Sequence, residues 1–474
     1  MGTHDGIPGQ APLTRPGIGL AIVGLGASLA PLDIAVNVAL PDITRHFGLV
    51  LGDVQWLVIC YVLVYGSLML VCGKLGDLFG HRLIFRSGLA ISAIGCAACA
   101  AAPDWPLFLL ARAGQGVGTA LALSCTPALA TSLFPESART RALAGFASSM
   151  AIAAAIGPFL GGVLVELWGW PGVYWVRVPI ALAALGLSGL LPSPKPDPRP
   201  FDAPGAILLA LCMSSLLLSL VLSQRREVPG TWSAALFTAS LVVLFLYIKR
   251  AGRVPEPIIR PGLFADPAFA VPNVMNALAN LAGFSILLLT PYYLVNVLQL
   301  SALVSGLVLA FAYAGSLTGA PLSAFLVRRI GQRPTAFVGV TLVGLGLLPL
   351  AFTGAATPLV VVAFLLIVEG VGQGLLTVAY TDIVTATLAQ RDRGVAGSLS
   401  LLTRTLGIVS GASVLTALQA RGAGDIAGVD GFLAGYRFTF LAAGGGLLVA
   451  LTLSRLVPGA WSARTGRHAE RARD

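Results

Sequence analysis

Charge is what this chain has least of. Asp, Glu, Lys and Arg make up 11% of its 474 residues, where a soluble domain carries about 25%, so there is too little charge to clothe a surface in water. Histidine is scarce too: His4, His46, His81 and His468 are scattered along the chain, which argues against a metal centre. No phosphate-cradling loop and no dinucleotide fingerprint sits between a strand and a helix. These absences weigh against a soluble enzyme and a pump with its own ATPase domain, and they leave no catalytic residue and no cofactor to assign. The six cysteines, Cys60, Cys72, Cys96, Cys99, Cys125 and Cys212, all lie in apolar stretches. Cys96 and Cys99 form a CxxC pair, but without electropositive, wet surroundings they read as small packing residues rather than a redox centre.

What the chain has in abundance is apolar residues, 56% of the total, with a mean hydropathy of +0.87. About 20 mainly apolar residues cross roughly 30 Å of hydrocarbon. Fourteen such runs lie near 17–40, 54–72, 83–102, 106–130, 142–165, 173–193, 204–223, 232–249, 268–297, 302–327, 335–353, 358–386, 395–419 and 432–457. The fold class is therefore an all-α polytopic membrane protein with fourteen transmembrane helices. Arg15 is the only basic residue ahead of the first run, and no small-residue cleavage site closely follows a short apolar core, so that run reads as a retained span rather than a signal peptide.

Lys and Arg concentrate in cytoplasmic loops. With the N-terminus inside, 22 of the 30 basic residues fall in cytoplasmic segments; Arg45, Arg177, Arg225, Arg226, Arg421 and Arg437 fall outside, and Arg112 and Arg404 lie within or near spans. The partition predicts a multi-pass protein of the plasma (inner) membrane with both termini cytoplasmic. It also accounts for the net charge of +10 as basic loops facing anionic lipid rather than nucleic acid.

Two polar breaks, the proline-rich Pro192–Pro200 and the segment Lys249–Asp266, isolate spans seven and eight. Three units follow: 1–193 with six helices, 194–262 with the linker and the extra pair, and 263–474 with six helices and a basic tail. The outer units repeat faintly. Gly80-His81-Arg82 matches Gly331-Gln332-Arg333, and Gly114-Gln115-Gly116 matches Gly372-Gln373-Gly374. Duplicated six-helix halves are a transporter architecture with the substrate site at the midplane between them.

The loop after span two reads Gly73-Lys-Leu-Gly-Asp-Leu-Phe-Gly-His-Arg82. Its glycines allow tight helix ends, and Asp77 can accept hydrogen bonds from helix N-termini or basic groups as a cytoplasmic latch; the competing reading is a turn with ordinary loop charges. This segment resembles the signature loop of the major facilitator superfamily. Leu32-Asp-Ile-Ala-Val-Asn-Val-Ala-Leu-Pro41 resembles the first-helix motif of its fourteen-helix drug:proton antiporters, Arg112-Ala-Gly-Gln-Gly-Val-Gly118 the superfamily's buried-arginine motif, and Gly157-Pro-Phe-Leu-Gly-Gly162 the motif associated with antiport. Gln55-Trp56 and Tyr61 open span two in keeping with the same family. Two departures stand out: Arg328 occupies the second-half position of Asp77, and Arg177 stands where the family usually has Asn.

The resemblance implies two six-helix bundles plus two central helices and proton-driven export of lipophilic, cationic or neutral compounds. Proton coupling would fall to Asp33 and Arg112, and the substrate cavity to Asp33, Asn37, Trp56 and Tyr61; the internal repeat adds Glu369 to both sets, since it falls within one position of the site equivalent to Arg112. Gly73, Asp77, Gly80 and Arg82 would form the cytoplasmic latch, and Gly157, Pro158, Gly161 and Gly162 the antiport helix. The partners are then a small-molecule substrate, protons and membrane lipid, with no nucleic acid and a monomeric chain. Elementary physics points to the same ionisable groups, because a charge at the bilayer centre costs from about 2.5 to above 10 kcal/mol and marks function by default. Competing readings place Asp33 at a watery outer mouth, Arg112 snorkelling to the interface, Glu369 paired locally, and the Gly157–Gly162 stretch as a plain kink. Asp382 and Arg404 read as interfacial or gate residues, and Glu166 as an outer-surface residue. The rival functions are transport of a sugar, amino acid or other small polar metabolite, and a non-transporting membrane receptor or assembly factor.

Overall fold

The computed structural model describes residues 16–134, 139–192, 202–223, 228–254, 257, 261–387 and 393–461. All regular structure in them is helical. The first half comprises α1 (Pro16–Ser28), a 3-10 turn (Pro31–Ile34), α2 (Ala35–His46), α3 (Leu51–Phe79), α4 (His81–Ala100), α5 (Trp105–Ser132), α6 (Arg139–Trp168), α7 (Gly172–Trp175) and α8 (Arg177–Leu187). A hairpin of α9 (Ala203–Leu222) and α10 (Gly230–Ala251) follows. The second half comprises α11 (Pro267–Tyr292), α12 (Ala302–Ile330), α13 (Gln332–Leu350), α14 (Leu359–Thr387), α15 (Arg393–Ala423), α16 (Gly428–Phe440) and α17 (Gly446–Ser454). The helices form because long Leu-, Ala- and Val-rich runs have no other way to satisfy their backbone in hydrocarbon.

Among the described residues, twelve helices are long and apolar enough to cross a membrane, two fewer than the fourteen read from the sequence. The two that fall short are helices nonetheless. In α9 the qualifying apolar stretch is the short Ala203–Leu216. In α15 the apolar content is diluted by Thr403, Arg404, Thr405, Ser413, Thr416 and Gln419, five of them buried. α15 packs on α11, α3 and α16, so its surroundings are other helices rather than lipid and its sequence is free to be polar.

The internal repeat extends into packing. Gly80 and Gly331 both end a helix at positive φ, 94° and 90°, where a side chain would be strained. Eight residues on, Gly88 lies against the Ala122 backbone of α5, and its repeat mate Gly339 lies against the Leu376 backbone of α14. Gly95 and Gly346 likewise meet Gln115 and Glu369. These small residues let α4 and α13 approach α5 and α14 closely, the usual basis of helix association in lipid. Arg82 donates to the Gly189 carbonyl at 2.6 Å, and Arg333 to the Ala460 carbonyl at 2.5 Å, so in each half the repeat arginine ties the start of the third span to the chain that follows the sixth.

The extra hairpin differs from its expected isolation. α10 packs chiefly on α9 and leaves Trp232, Phe237, Leu241 and Phe245 exposed, whereas α9 packs on both α3 and α15.

Candidate functional site

Asp33 owes its setting to a break in the first span. Pro31 starts the 3-10 turn, because a proline ring cannot continue the helix in front of it, and the turn presents Asp33 to the interior of the half. Arg112 comes from α5, whose start is fixed by Asp104 accepting the Leu107 N–H at 2.9 Å, an N-cap. Its guanidinium grips the carboxylate with both ends: Nη1 to Oδ1 at 2.7 Å and Nη2 to Oδ2 at 2.9 Å. Nη1 also donates to Gln115 Oε1 at 2.8 Å, and Nε to the Leu57 carbonyl of α3 at 3.2 Å. The Tyr61 ring lies 4.5 Å from the guanidinium carbon, a cation–π contact.

A second guanidinium joins them. Arg177, the first residue of α8, donates from Nη1 to Asp33 Oδ1 at 2.5 Å and from Nε to the Val173 carbonyl at 3.0 Å, with the Tyr174 ring 4.8 Å away. Both arginines are 1% exposed and Asp33 13%. Arg177 therefore belongs to the core of the half and not to the outer loops where its sequence position placed it. Its signal was available: it stands four residues inside the predicted span 173–193, with no acidic neighbour nearer in sequence than Glu166. Cys99 Sγ lies 4.0 Å from Gln115 Oε1, so one member of the buried CxxC pair packs beside a hydrogen-bond partner of Arg112.

Glu369 sits on α14, 5% exposed, one position before the repeat equivalent of Arg112. No Lys or Arg forms a salt bridge with it among the described residues. Its polar neighbour is Gln373, repeat mate of the Gln115 that touches Asp33, and Gly283 of α11 faces both: a Cβ there would lie 2.6 Å from Gln373 Nε2 and 3.0 Å from Glu369 Oε1. Tyr313 of α12 interacts electrostatically with Glu369 and with Arg404, and Arg404 is exposed. Of the other expected cavity residues, Asn37 of α2 donates to the Ile34 carbonyl of the preceding 3-10 turn at 3.1 Å, Trp56 is half-buried against the hydrophobic core, and the Tyr61 ring packs on Arg112.

The Gly157–Gly162 stretch lies on the seam between halves. A Cβ at Gly161 would meet the Ala35 carbonyl of α2 in its own half, at 2.7 Å. One at Gly162 would meet the Ala302 carbonyl of α12 in the other half, at 2.5 Å. Nearby, Glu166 Oε2 accepts the Leu303 N–H at 3.2 Å and Thr44 Oγ1 pairs with Tyr292 Oη at 2.6 Å. Sequence reasoning missed these two bridges across the halves, at the end of the molecule opposite Gly80 and Gly331. In the expected latch, Gly80 and Arg82 are placed as above and Gly73 lies within α3; the Asp77 side chain lies outside the described residues.

Two pseudo-repeated helical bundles, each with a membrane-buried ionisable site, define a membrane transporter. The Major Facilitator Superfamily model matches residues 17–412 and 274–472, and the chain belongs to that superfamily. It is 32% identical over 413 residues to "Multidrug resistance protein Stp" of Mycobacterium tuberculosis (strain CDC 1551 / Oshkosh), covering 85% of this chain and 75% of that one. It is 28% identical over 417 residues to the "Tetracenomycin C resistance and export protein" of Streptomyces glaucescens, covering 87% and 77%. The fold also matches the crystal structure of a bacterial homologue of the human lysosomal transporter Spinster, inward-facing and unoccupied, with a TM-score of 0.68 at 16% identity over 96% of this chain and 100% of that one.

Proposed function

We propose that the chain is a proton-coupled antiporter that exports lipophilic compounds, cationic or neutral, across the plasma membrane by alternating access. The observation that carries the reading is the pair of buried carboxylates set in unlike surroundings. Asp33 is held by two guanidiniums in one half, and Glu369 in the other has Gln373 as its polar partner and no salt bridge among the described residues. A carboxyl that gains and loses a proton can exchange it for a cationic ligand or for a change in helix packing. Asp33 and Arg112 couple the proton, Glu369 sets charge preference, and Tyr61 together with Trp56 and Asn37 shapes the wall. The halves rock on the glycine stretch of α6. The Gly80 and Gly331 end is cytoplasmic, both termini lie on that side, α9 and α15 complete fourteen spans, and the chain works as a monomer. The resistance and export proteins to which it is similar support the substrate class.

The test is purified protein in vesicles carrying a pH-sensitive dye, challenged with a panel of lipophilic cations and neutral compounds. Proton movement driven by members of the panel is the expected result, and none with any member refutes the proposal. A second reading, transport of a small polar metabolite, rests on a buried hydrogen-bond network in the second half. Tyr380 Oη donates to Asn273 Oδ1 at 2.8 Å and pairs with Thr403 Oγ1 at 3.0 Å, and Asn276 Nδ2 donates to the same Thr403 oxygen at 2.9 Å. Proton movement driven by sugars or amino acids and by no lipophilic compound would select it.

A further inference from the structure

The Asp33 cluster does not balance. Two guanidiniums, each 1% exposed, share one carboxylate, and no other carboxylate among the described residues pairs with either, so the site carries a surplus of one positive charge in a medium that penalises it heavily. The donors are unequal. Arg112 spends Nε on Leu57, Nη1 on Asp33 and Gln115, and Nη2 on Asp33. Arg177 spends Nε on Val173 and Nη1 on Asp33, and its Nη2 is buried with no protein acceptor among the described residues. The Tyr174 hydroxyl is likewise buried without a partner, and its ring lies 4.8 Å from the Arg177 guanidinium carbon and 5.8 Å from that of Arg112. A buried unsatisfied donor costs about 1–3 kcal/mol, more for a charged group, and here one such donor coincides with the surplus charge.

We propose that Arg177 Nη2 and the Tyr174 hydroxyl form a binding site for a small monovalent anion, which neutralises the two-arginine cluster around Asp33. An anion suits the site where a cation or a neutral acceptor does not, because it supplies both the missing charge and the missing acceptor. The same chemistry comes from two sources: a free inorganic ion of chloride's size, or an anionic group on a transported compound. When Asp33 takes up a proton the cluster's surplus doubles, so the anion is held more tightly in the protonated transporter. The assignment stands independently of the direction of transport and of the main substrate.

The probe is radiolabelled chloride, measured as equilibrium binding to the purified full-length protein at constant ionic strength with gluconate as the replacing anion. Saturable binding of one chloride per chain is expected. Arg177→Gln should abolish it, and Tyr174→Phe, which keeps the ring and the fold, should weaken it about tenfold, the scale of one hydrogen bond to a charged partner. Arg421→Gln, at the exposed end of α15, should leave it unchanged. No saturable binding in the wild type, or equal binding in the wild type and in Tyr174→Phe, overturns the proposal; the second variant serves if Arg177→Gln fails to fold. Displacement of chloride by a transported carboxylic acid but not by its ester identifies the substrate as the source of the anion. Binding undisturbed by both identifies the inorganic ion. Proton movement driven by lipophilic compounds in chloride-free gluconate bears on the export reading alone.

Discussion

Gly162→Ala should push the two halves apart at the seam. The added Cβ would stand 2.5 Å from the Ala302 carbonyl oxygen and 2.9 Å from Leu303 Cα, both backbone atoms of α12 that no rotamer change can move. Ordinary contact begins near 3.4 Å, so α6 and α12 must separate by about 0.9 Å. Overpacking of this kind costs about 1–3 kcal/mol, and the cost falls only on the state in which the seam is closed. The equilibrium between closed and open seams should therefore shift about 5- to 150-fold toward the open one. Gly161→Ala is the control: its Cβ meets Ala35 at 2.7 Å, an equal insult borne within one half, which should lower thermal stability without moving the equilibrium. Gly157→Ala, with no contact nearer than 3.6 Å, should be silent in both respects. Spin labels at the exposed Leu167 and Ser301, read by double electron–electron resonance, report the seam directly. A folded Gly162→Ala protein with the wild-type distance distribution, or an identical shift in Gly161→Ala, would refute the reasoning.

Asp33→Asn should abolish proton-driven export of neutral and cationic compounds alike, whereas Glu369→Gln should mainly impair cations; substrate-induced proton movement in proteoliposomes with one ligand of each kind decides it. Arg112→Lys keeps the charge but gives up the two-point grip and the Leu57 bond, so the purified protein should lose about 2–4 kcal/mol of stability in thermal denaturation. On α10, Leu241→Ser and Phe245→Ser face outward and should leave the range of exported compounds intact, as a resistance profile in cells would show. Single cysteines at positions 3 and 470 of a cysteine-free variant should be shielded from an impermeant thiol reagent in intact cells, and labelling of either reverses the orientation.

The repeat was legible because glycines that end helices or meet a neighbouring backbone recur in both halves, as Gly80 with Gly331 and Gly116 with Gly374, and the extra hairpin because polar breaks flank it on either side. Asp33 and Arg112 were legible because isolated charges in apolar runs are conspicuous. Arg177 was misplaced because a charge four residues into a run reads as interfacial. Only the tertiary approach of α8 to the break at Pro31–Ile34 reveals that its partner lies 144 residues earlier. The polar face of α15 misled in the opposite sense, since a hydropathy count treats every face as if it met lipid. Bridges such as Thr44 to Tyr292 join common residues 248 positions apart, and nothing local announces them.

The knot at Asp33 is also a piece of machinery. One carboxylate gathers the first span, α5 and α8, and through Arg112 it reaches the backbone of α3, so four of the six spans in that half are stapled at a single point. Among the described residues no salt bridge gathers the second half around Glu369, whose helix is joined to α11 and α15 instead through Tyr380, Asn273 and Thr403. The first half is thus gathered by buried charge and the second by neutral hydrogen bonds. Amide hydrogen exchange in Asp33→Asn should therefore rise together in the first span, α3, α5 and α8, whereas Glu369→Gln should leave exchange in the second half unchanged, because the two halves are braced by different chemistry.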